Sequence, residues 1–281
     1  MARAPRLCDG RLDGTTGSRS ELGRIEEREH WIESPGGRVF AKTWTPSEGG
    51  SKTPVLLFHD SLGCVALWRD FPMKLAAALD RPVIAYDRLG FGRSDPRTDH
   101  VGWDFIAREA ETSVPSLCTG LGFSEFIACG HSVGGGMAIE TAAQFGHRCA
   151  AVVTIAAQAF VEDRTLDGLR LARVEFGMPE TMARLARYHG DKAAWVLRAW
   201  IDTWLSPDFA DWSLDPALRR IRCPLLAIHG ADDEYGSTEH PRRIANGRGE
   251  MHILPGIGHT PHRECPDLLV ETLESFFINS L

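Results

Sequence analysis

Short, almost wholly apolar runs that alternate with helix-compatible stretches constrain this chain more than any other feature. The runs are PVLLFHD at 54–60, RPVIAYD at 81–87, FSEFIACG at 123–130, CAAVVTIAA at 149–157, CPLLAIHG at 223–230 and EMHILPG at 250–256. Runs this short and this apolar suit strands buried on both faces, and such strands need helices above and below them. Ahead of them, EREHWIE at 27–33 and RVFAKTWT at 38–45 flank Ser34-Pro35-Gly36-Gly37, a turn-forming stretch that can join them as an antiparallel hairpin. The chain closes on the amphipathic stretch DLLVETLESFFINS. The pattern predicts an α/β fold with an eight-stranded, mostly parallel sheet covered by helices on both faces.

From Phe160 to Leu218 the sequence holds neither β-runs nor glycine clusters. A helical lid over 160–218, inserted after strand 6, is expected to divide a sheet domain made of 23–159 and 219–281. The clearest helix runs from Asp191 to Leu205, where Val196, Trp200 and Trp204 recur at i, i+4 and i+8 beside Leu197, Ile201 and Leu205. That apolar face is too wide for solvent: it packs on the sheet domain, or closes over an acyl or aromatic pocket, or does both. Residues 1–22 are rich in Arg, Gly and Ser and lack the apolar stretch of a secretory signal. They are expected to form a mobile tail or to be sequence upstream of the true start.

Composition removes several function classes. With 31 basic against 38 acidic residues and a net charge of -7, binding to nucleic acid by counterion release is not expected. No apolar run approaches the roughly 20 residues of a membrane-spanning helix. The seven cysteines are irregularly spaced, with no C-x-x-C pair, which suits free thiols in a reducing cytosol and predicts no metal site. A cytoplasmic protein without cofactor is expected, and a homo-oligomer stays open.

GHSVG, Gly130 to Gly134, is the chain's only match to G-x-S-x-G. Chance alone would supply roughly 0.1 to 0.2 such matches in a chain of this composition, so context carries the reading. The motif follows the apolar strand Phe126–Cys129 and precedes the helical run Met137–Phe145. Such a turn strains the serine and exposes its hydroxyl, while the flanking glycines remove side chains that would clash. Ser132 is thus a candidate nucleophile, and a serine hydroxyl needs a base that is itself oriented by a carboxylate. Later strand ends offer both in the order acid then histidine: Ala231-Asp232-Asp233 after CPLLAIHG, and Ile257-Gly258-His259 after EMHILPG. Val133, following the nucleophile, should supply one backbone N–H to a developing oxyanion.

From about residue 27 to its end the chain resembles an α/β-hydrolase fold protein of the carboxylesterase and C–C hydrolase type. The resemblance lies in HDSLG (59–63) with LWRD (67–70), DRLGFGRSD (87–95), GHSVGG (130–135), HGADD (229–233) and GIGHTPHRECP (256–266). It implies Asp233 as the acid, with Asp232 the alternative, and His259 as the base. His240 is read as a loop residue before proline, His252 as a strand residue, and His262 as lying behind the site or on the surface. His131 matches a position that varies in such proteins and is read as packing, with the substrate pocket as its other assignment. Arg93 and Asp95 are read as organising their loop. By resemblance the second oxyanion donor is the N–H of Ser61.

One departure stands out: the family usually has His-Gly where this chain has His59-Asp60. A carboxylate facing a forming oxyanion would raise the barrier, so Asp60 is expected to point away, to be protonated, or to pair with a cation such as Arg69 or Arg88. Alternatively it recognises a cationic or hydroxyl group of the substrate, joining His131, Trp200 and Trp204 in the pocket. The resemblance implies a cofactor-independent serine hydrolase that cleaves a carboxylic ester of a small, largely apolar acid through an acyl-enzyme, with water as co-substrate. Cleavage of a C–C bond in a vinylogous diketone, or a small-molecule receptor that retains the triad, are the alternatives.

Overall fold

The computed structural model describes residues 24–281. The expectations for residues 1–22, and Cys8 with them, lie outside the described residues. Strands β1 (Ile25–Ser34) and β2 (Gly37–Pro46) form the antiparallel hairpin, in register from Ser34 opposite Gly37 to Ile25 opposite Pro46. Gly36 and Gly37 take φ of 92° and 146°, a region that glycine enters without a side-chain penalty. Then come β3 (Val55–Phe58), β4 (Val83–Tyr86), β5 (Phe126–His131), β6 (Cys149–Ile155), β7 (Leu225–Gly230) and β8 (Glu250–Leu254), in the sheet order β1-β2-β4-β3-β5-β6-β7-β8. From β4 to β8 every neighbouring pair is parallel.

The side-chain period of a strand divides the core in two. Leu56, Phe58, Ile84, Tyr86 and Ala128 pack with α2 (Phe105–Leu121) and α3 (Val133–Phe145) on one face. Val55, Leu57, Val83, Ala85 and Ile127 pack with α1 (Phe71–Leu79) and α10 (Pro266–Ser280) on the other. The outermost strands are polar instead: β1 exposes most of its charged side chains, and Glu250, Met251 and His252 of β8 face solvent. Charge on an edge strand discourages pairing with other chains.

Several apolar runs outlast the strands they form. The strands end at Phe58, Tyr86, Gly230 and Leu254, so His59, Asp60, Asp87, Asp233 and His259 all fall in loops beyond their carboxyl ends. That edge is where α/β sheets bind ligands.

Between β6 and β7 lie α4 (Asp163–Glu175), α5 (Pro179–His189), α6 (Ala193–Trp204) and α7 (Asp215–Leu218). The helix expected over Asp191–Leu205 is α6, its first turn wound as a 3-10 turn from Gly190 to Lys192. The insert has one β feature that its sequence did not suggest, an isolated antiparallel bridge between Phe160 and Ser213. Beside it the Leu214 N–H donates to Ala159 O at 2.8 Å, bringing the two ends of the insert together. His240 is not a loop residue: it sits, fully buried, in α8 (Glu239–Ala245). The six described cysteines are free, and no helix among the described residues is long and apolar enough to cross a membrane.

Asp87 organises the loops at the carboxyl end of β4. It is 1% exposed and accepts the N–H groups of Val65 and Arg93, each at 2.6 Å. Gly92, at φ 45°, lies so close that a Cβ there would fall 2.1 Å from the Asp87 carboxylate. Burial pushes the Asp87 carboxyl up to about 6 despite both amide donors. The folded protein therefore holds a proton that the unfolded chain releases above about pH 4, and this contribution to stability is lost as the pH rises through about 6. Urea unfolding should show wild-type stability relative to Asp87→Asn falling by up to about 3 kcal/mol between pH 4 and pH 7. Parallel curves for the two proteins would contradict the assignment.

Candidate active site

A single residue separates β5 from α3, and it is Ser132, at φ 55° and ψ -127°. A non-glycine residue held there stores about 1–3 kcal/mol of strain, so the surroundings must fix it. The Ser132 N–H donates to Ile155 O, and the Ser132 carbonyl accepts from the Gly135 N–H, both at 2.8 Å. The motif's glycines leave no room for a side chain: a Cβ on Gly130 would lie 2.0 Å from Gly134 O, and one on Gly134 would lie 2.1 Å from Phe58 O. Val133 opens α3, so its N–H has no partner one turn back along the helix and belongs to a terminus that favours negative charge.

His259 Nε2 lies 3.0 Å from Ser132 Oγ. Its Nδ1 lies 2.9 and 2.8 Å from the two carboxylate oxygens of Asp233. An ionised carboxylate only accepts, so Nδ1 carries the hydrogen and the lone pair of Nε2 faces the serine hydroxyl. Asp233 is 1% exposed and is oriented by the N–H groups of Tyr235 and Gly236, at 2.7 and 3.1 Å. Asp232, its alternative, is exposed. Burial opposes ionisation of Asp233, but the hydrogen bond and charge of His259, with His229 and the Tyr235 N–H, hold its carboxyl below the usual range. Burial likewise opposes charge on His259, yet Asp233 outweighs it and raises the imidazole above its ordinary value.

A cavity of about 300 Å³ opens over Ser132 and His259. Leu169, Phe176, Trp200 and Trp204 of the insert form its apolar side, and Asp60, Ser61, Glu234 and Arg263 contribute polar groups. Trp204 also packs on Phe209 and Trp212, with ring centroids 5.1 and 5.6 Å away, so one side chain both packs and lines the cavity. Beyond Ser61, Trp200 and Trp204 lies a larger space of about 550 Å³ that touches none of Ser132, Asp233 and His259.

Two expectations need correcting. The Asp60 carboxylate pairs with neither Arg69 nor Arg88: Arg69 is exposed, and the Arg88 guanidinium donates to the backbone carbonyl of Asp60 at 2.8 Å while lying over the Phe91 ring. Its contact is Nδ1 of His131, at 3.5 Å. His131 in turn lies behind the substrate-sized cavity and does not line it, being 1% exposed among Trp68, His259 and His262.

Arg93 and Asp95 do organise their loop, the first donating its N–H to Asp87 and the second accepting from Arg38. Sequence reasoning passed over Gln158, whose Oε1 lies 3.4 Å from Ser132 Oγ; its only signal is a polar residue just past the apolar run of β6. It also passed over Glu162, which accepts from the Ser237 N–H, the Ser237 hydroxyl and His240 Nε2, tying the start of the insert to the segment after Asp233. Among the described residues no cluster of three or more His, Cys, Asp or Glu side chains could hold a metal ion.

Sheet order, a strained serine between β5 and α3, and acid and histidine on the turns after β7 and β8 together mark the α/β-hydrolase class of proteins. The chain belongs to the Alpha/beta hydrolase family, whose sequence profile matches residues 55–272. It is similar to the non-heme chloroperoxidase of Streptomyces lividans, with 29% identity over 231 residues that cover 72% of this chain and 80% of that protein. It is also similar to the human serine hydrolase BPHL, 27% identical over 204 residues, covering 69% of this chain and 68% of the relative. Among solved structures, the enol-lactonase from Burkholderia xenovorans LB400 superposes with a TM-score of 0.68 at 21% identity, over 89% of this chain and 100% of that one.

The coupling of Asp233 and His259 sets a pH window. A raised histidine contributes stability that is present below about pH 6.5 and lost as the pH rises through its folded value. A depressed aspartate contributes stability that is present above about pH 4 and lost as the pH falls through its folded value. Asp233→Asn should remove both contributions and lower the titration midpoint of His259. Following the His259 ring by NMR in the two proteins tests this, and an unmoved midpoint would refute it.

Proposed function

We propose that the protein is a cofactor-independent serine hydrolase that cleaves a carboxylic ester of a small, largely apolar acid. The observation that carries this reading is the continuous chain Ser132 Oγ, His259 imidazole, Asp233 carboxylate, whose first two members line a cavity with an apolar insert side. In the proposed reaction Ser132 Oγ attacks the ester carbonyl carbon as His259 Nε2 takes its proton. The C–O bond to the alcohol then breaks, and the same proton passes to the departing oxygen. Water attacks the resulting acyl-enzyme, giving one proton to His259, and the acid leaves as Ser132 recovers its hydrogen. Asp233 keeps His259 in the required tautomer and offsets the imidazolium charge. The N–H groups of Val133 and Ser61 are the proposed oxyanion donors. The human relative is a serine hydrolase and the structural neighbour an enol-lactonase, and both are in keeping with ester cleavage. The insert over 160–218 is the proposed lid, and six free thiols suit a reducing cytosol.

Labelling with a fluorophosphonate probe tests the nucleophile. Wild type should label, and Ser132→Ala should neither label nor keep more than about 1% of the hydrolytic rate, since loss of a triad nucleophile costs several orders of magnitude. Retained activity in a folded Ser132→Ala protein would overturn the reading. The pocket is tested separately with p-nitrophenyl esters of increasing chain length. Trp200→Ala should raise KM for medium-chain or aromatic esters more than for acetate, and Trp204→Ala should do the same while also lowering stability by about 3–5 kcal/mol, because that ring is fully packed. A rise in KM of the same size for every ester would exclude an acyl pocket here.

A further inference from the structure

The turns after β5 and β6 each hold a non-glycine residue at positive φ, Ser132 at 55° and Ala156 at 50°, a conformation that the surroundings must impose. Around the second turn the Ala156 N–H donates to Ile228 O at 2.8 Å, and a Cβ on Gly135 would fall 2.5 Å from that of Ala157, so the turn packs on the start of α3. The Ala159 N–H donates to Nδ1 of His240, the histidine buried in α8, at 3.1 Å. Gln158 sits between these fixed points. It is 4% exposed, and its side chain lines the cavity with Oε1 3.4 Å from Ser132 Oγ.

The amide of Gln158 is left short of partners. The serine hydroxyl gives its one hydrogen to the Nε2 lone pair of His259, at 3.0 Å, and has none for Oε1. The amide nitrogen, Nε2, has no hydrogen-bond partner among the described residues. Turned over, the amide would offer an N–H to Oγ and leave Oε1 without a donor instead. In either orientation one polar atom of a buried amide stays unanswered at the cavity wall, and such an atom costs more to leave alone than its bond would gain. Other polar groups at the cavity are tied elsewhere: the Thr165 hydroxyl donates to Tyr235 O at 2.7 Å, and Arg263, on the short helix α9 (Pro261–Glu264), donates from Nε to Leu67 O at 3.2 Å.

In the proposed reaction the carbon that joins Oγ carries three other groups. Its oxygen turns to the N–H groups of Val133 and Ser61, and its departing oxygen to His259. The third is the α-carbon of the acid, and it is the one with no polar group yet assigned to it. We propose that Gln158 is a specificity-determining residue that receives a hydroxyl on this α-carbon, which makes the substrates esters of 2-hydroxy acids. A hydroxyl both donates and accepts, so it answers the amide in either orientation. The inference rests on the serine hydrolase reading and narrows its acid: one hydroxyl beside the carbonyl, with the remainder apolar against Leu169, Phe176 and Trp200.

The test compares p-nitrophenyl 2-hydroxybutyrate with p-nitrophenyl 2-methylbutyrate, each as both enantiomers, which exchange a hydroxyl for a methyl on the α-carbon. After division by the rate of hydroxide-catalysed hydrolysis, wild-type kcat/KM should favour one hydroxy enantiomer over its methyl counterpart by about tenfold or more, the worth of one recovered hydrogen bond. Gln158→Met keeps the length of the side chain without its amide and should cut that preference about tenfold, with fluorophosphonate labelling showing that Ser132 is still in place. A loss of the same size on both esters would make Gln158 a support for Ser132 or for the oxyanion and overturn the proposal, as would a preference that survives the substitution. Should Gln158→Met fail to fold, the wild type decides alone, and equal turnover of the two esters overturns the proposal. A wild type that neither labels nor hydrolyses any of these esters would sink the hydrolase reading and this inference with it, whereas turnover without discrimination sinks this inference alone.

Discussion

The backbone of the serine turn is pressed against the carboxyl end of β3, and the site depends on that approach. A Cβ at Gly134 would lie 2.1 Å from Phe58 O and 2.6 Å from His59 O, so the start of α3 and the loop after β3 meet with no side chain between them. The contact brings the start of α3 beside the loop that carries Ser61. Because β3 and β5 are also direct neighbours in the sheet, with Phe58 opposite Gly130, the approach is set by strand register and not by loop conformation.

Three carboxylates sit beyond the carboxyl ends of β3, β4 and β7, and their surroundings drive them apart. Asp87 receives two amide donors, and these with the charges of Lys192 and Arg93 do not offset its burial, which pushes it up to about 6. Asp233 has amides and two imidazoles, and Asp60 has an imidazole and a nearby guanidinium; both are displaced downward. The same residue type at one edge of the sheet thus yields a group pushed up to about 6 and two held below the usual range. Partners, more than burial, decide the outcome.

Much of this was legible in the sequence, for physical reasons that differ from element to element. Apolar runs reveal buried strands because both faces must be covered, and the serine turn is legible because only glycine tolerates contacts at 2.0–2.1 Å. The turns after β7 and β8 point to Asp232-Asp233 and to His259, but the choice of Asp233 over Asp232 rests on the resemblance and not on position. The partner of Asp60 was not legible: Arg88 lies close, as expected, yet spends its guanidinium on a carbonyl and an aromatic face, while the ring that meets the carboxylate belongs to a residue read as packing. A proline after His240 looks like a loop signal in sequence, whereas Pro241 occupies the first turn of α8, where its missing N–H costs nothing. Gln158 and Glu162 act through contacts far apart in the chain, for which local pattern has no signal.

The bridge between Phe160 and Ser213 brings the insert's departure and return side by side on the sheet domain, and Glu162 fastens the departing end to Ser237 and His240. Between those two points the insert is held by ties of a different kind: His189 meets the carbonyl of Leu62 and the N–H of Gly92, Lys192 donates to Gly92 and Ser94, and Thr165 donates to Tyr235. Its helices are therefore anchored to the very loops that carry the site, so a change in their length or order would be felt there before it reached the strand register.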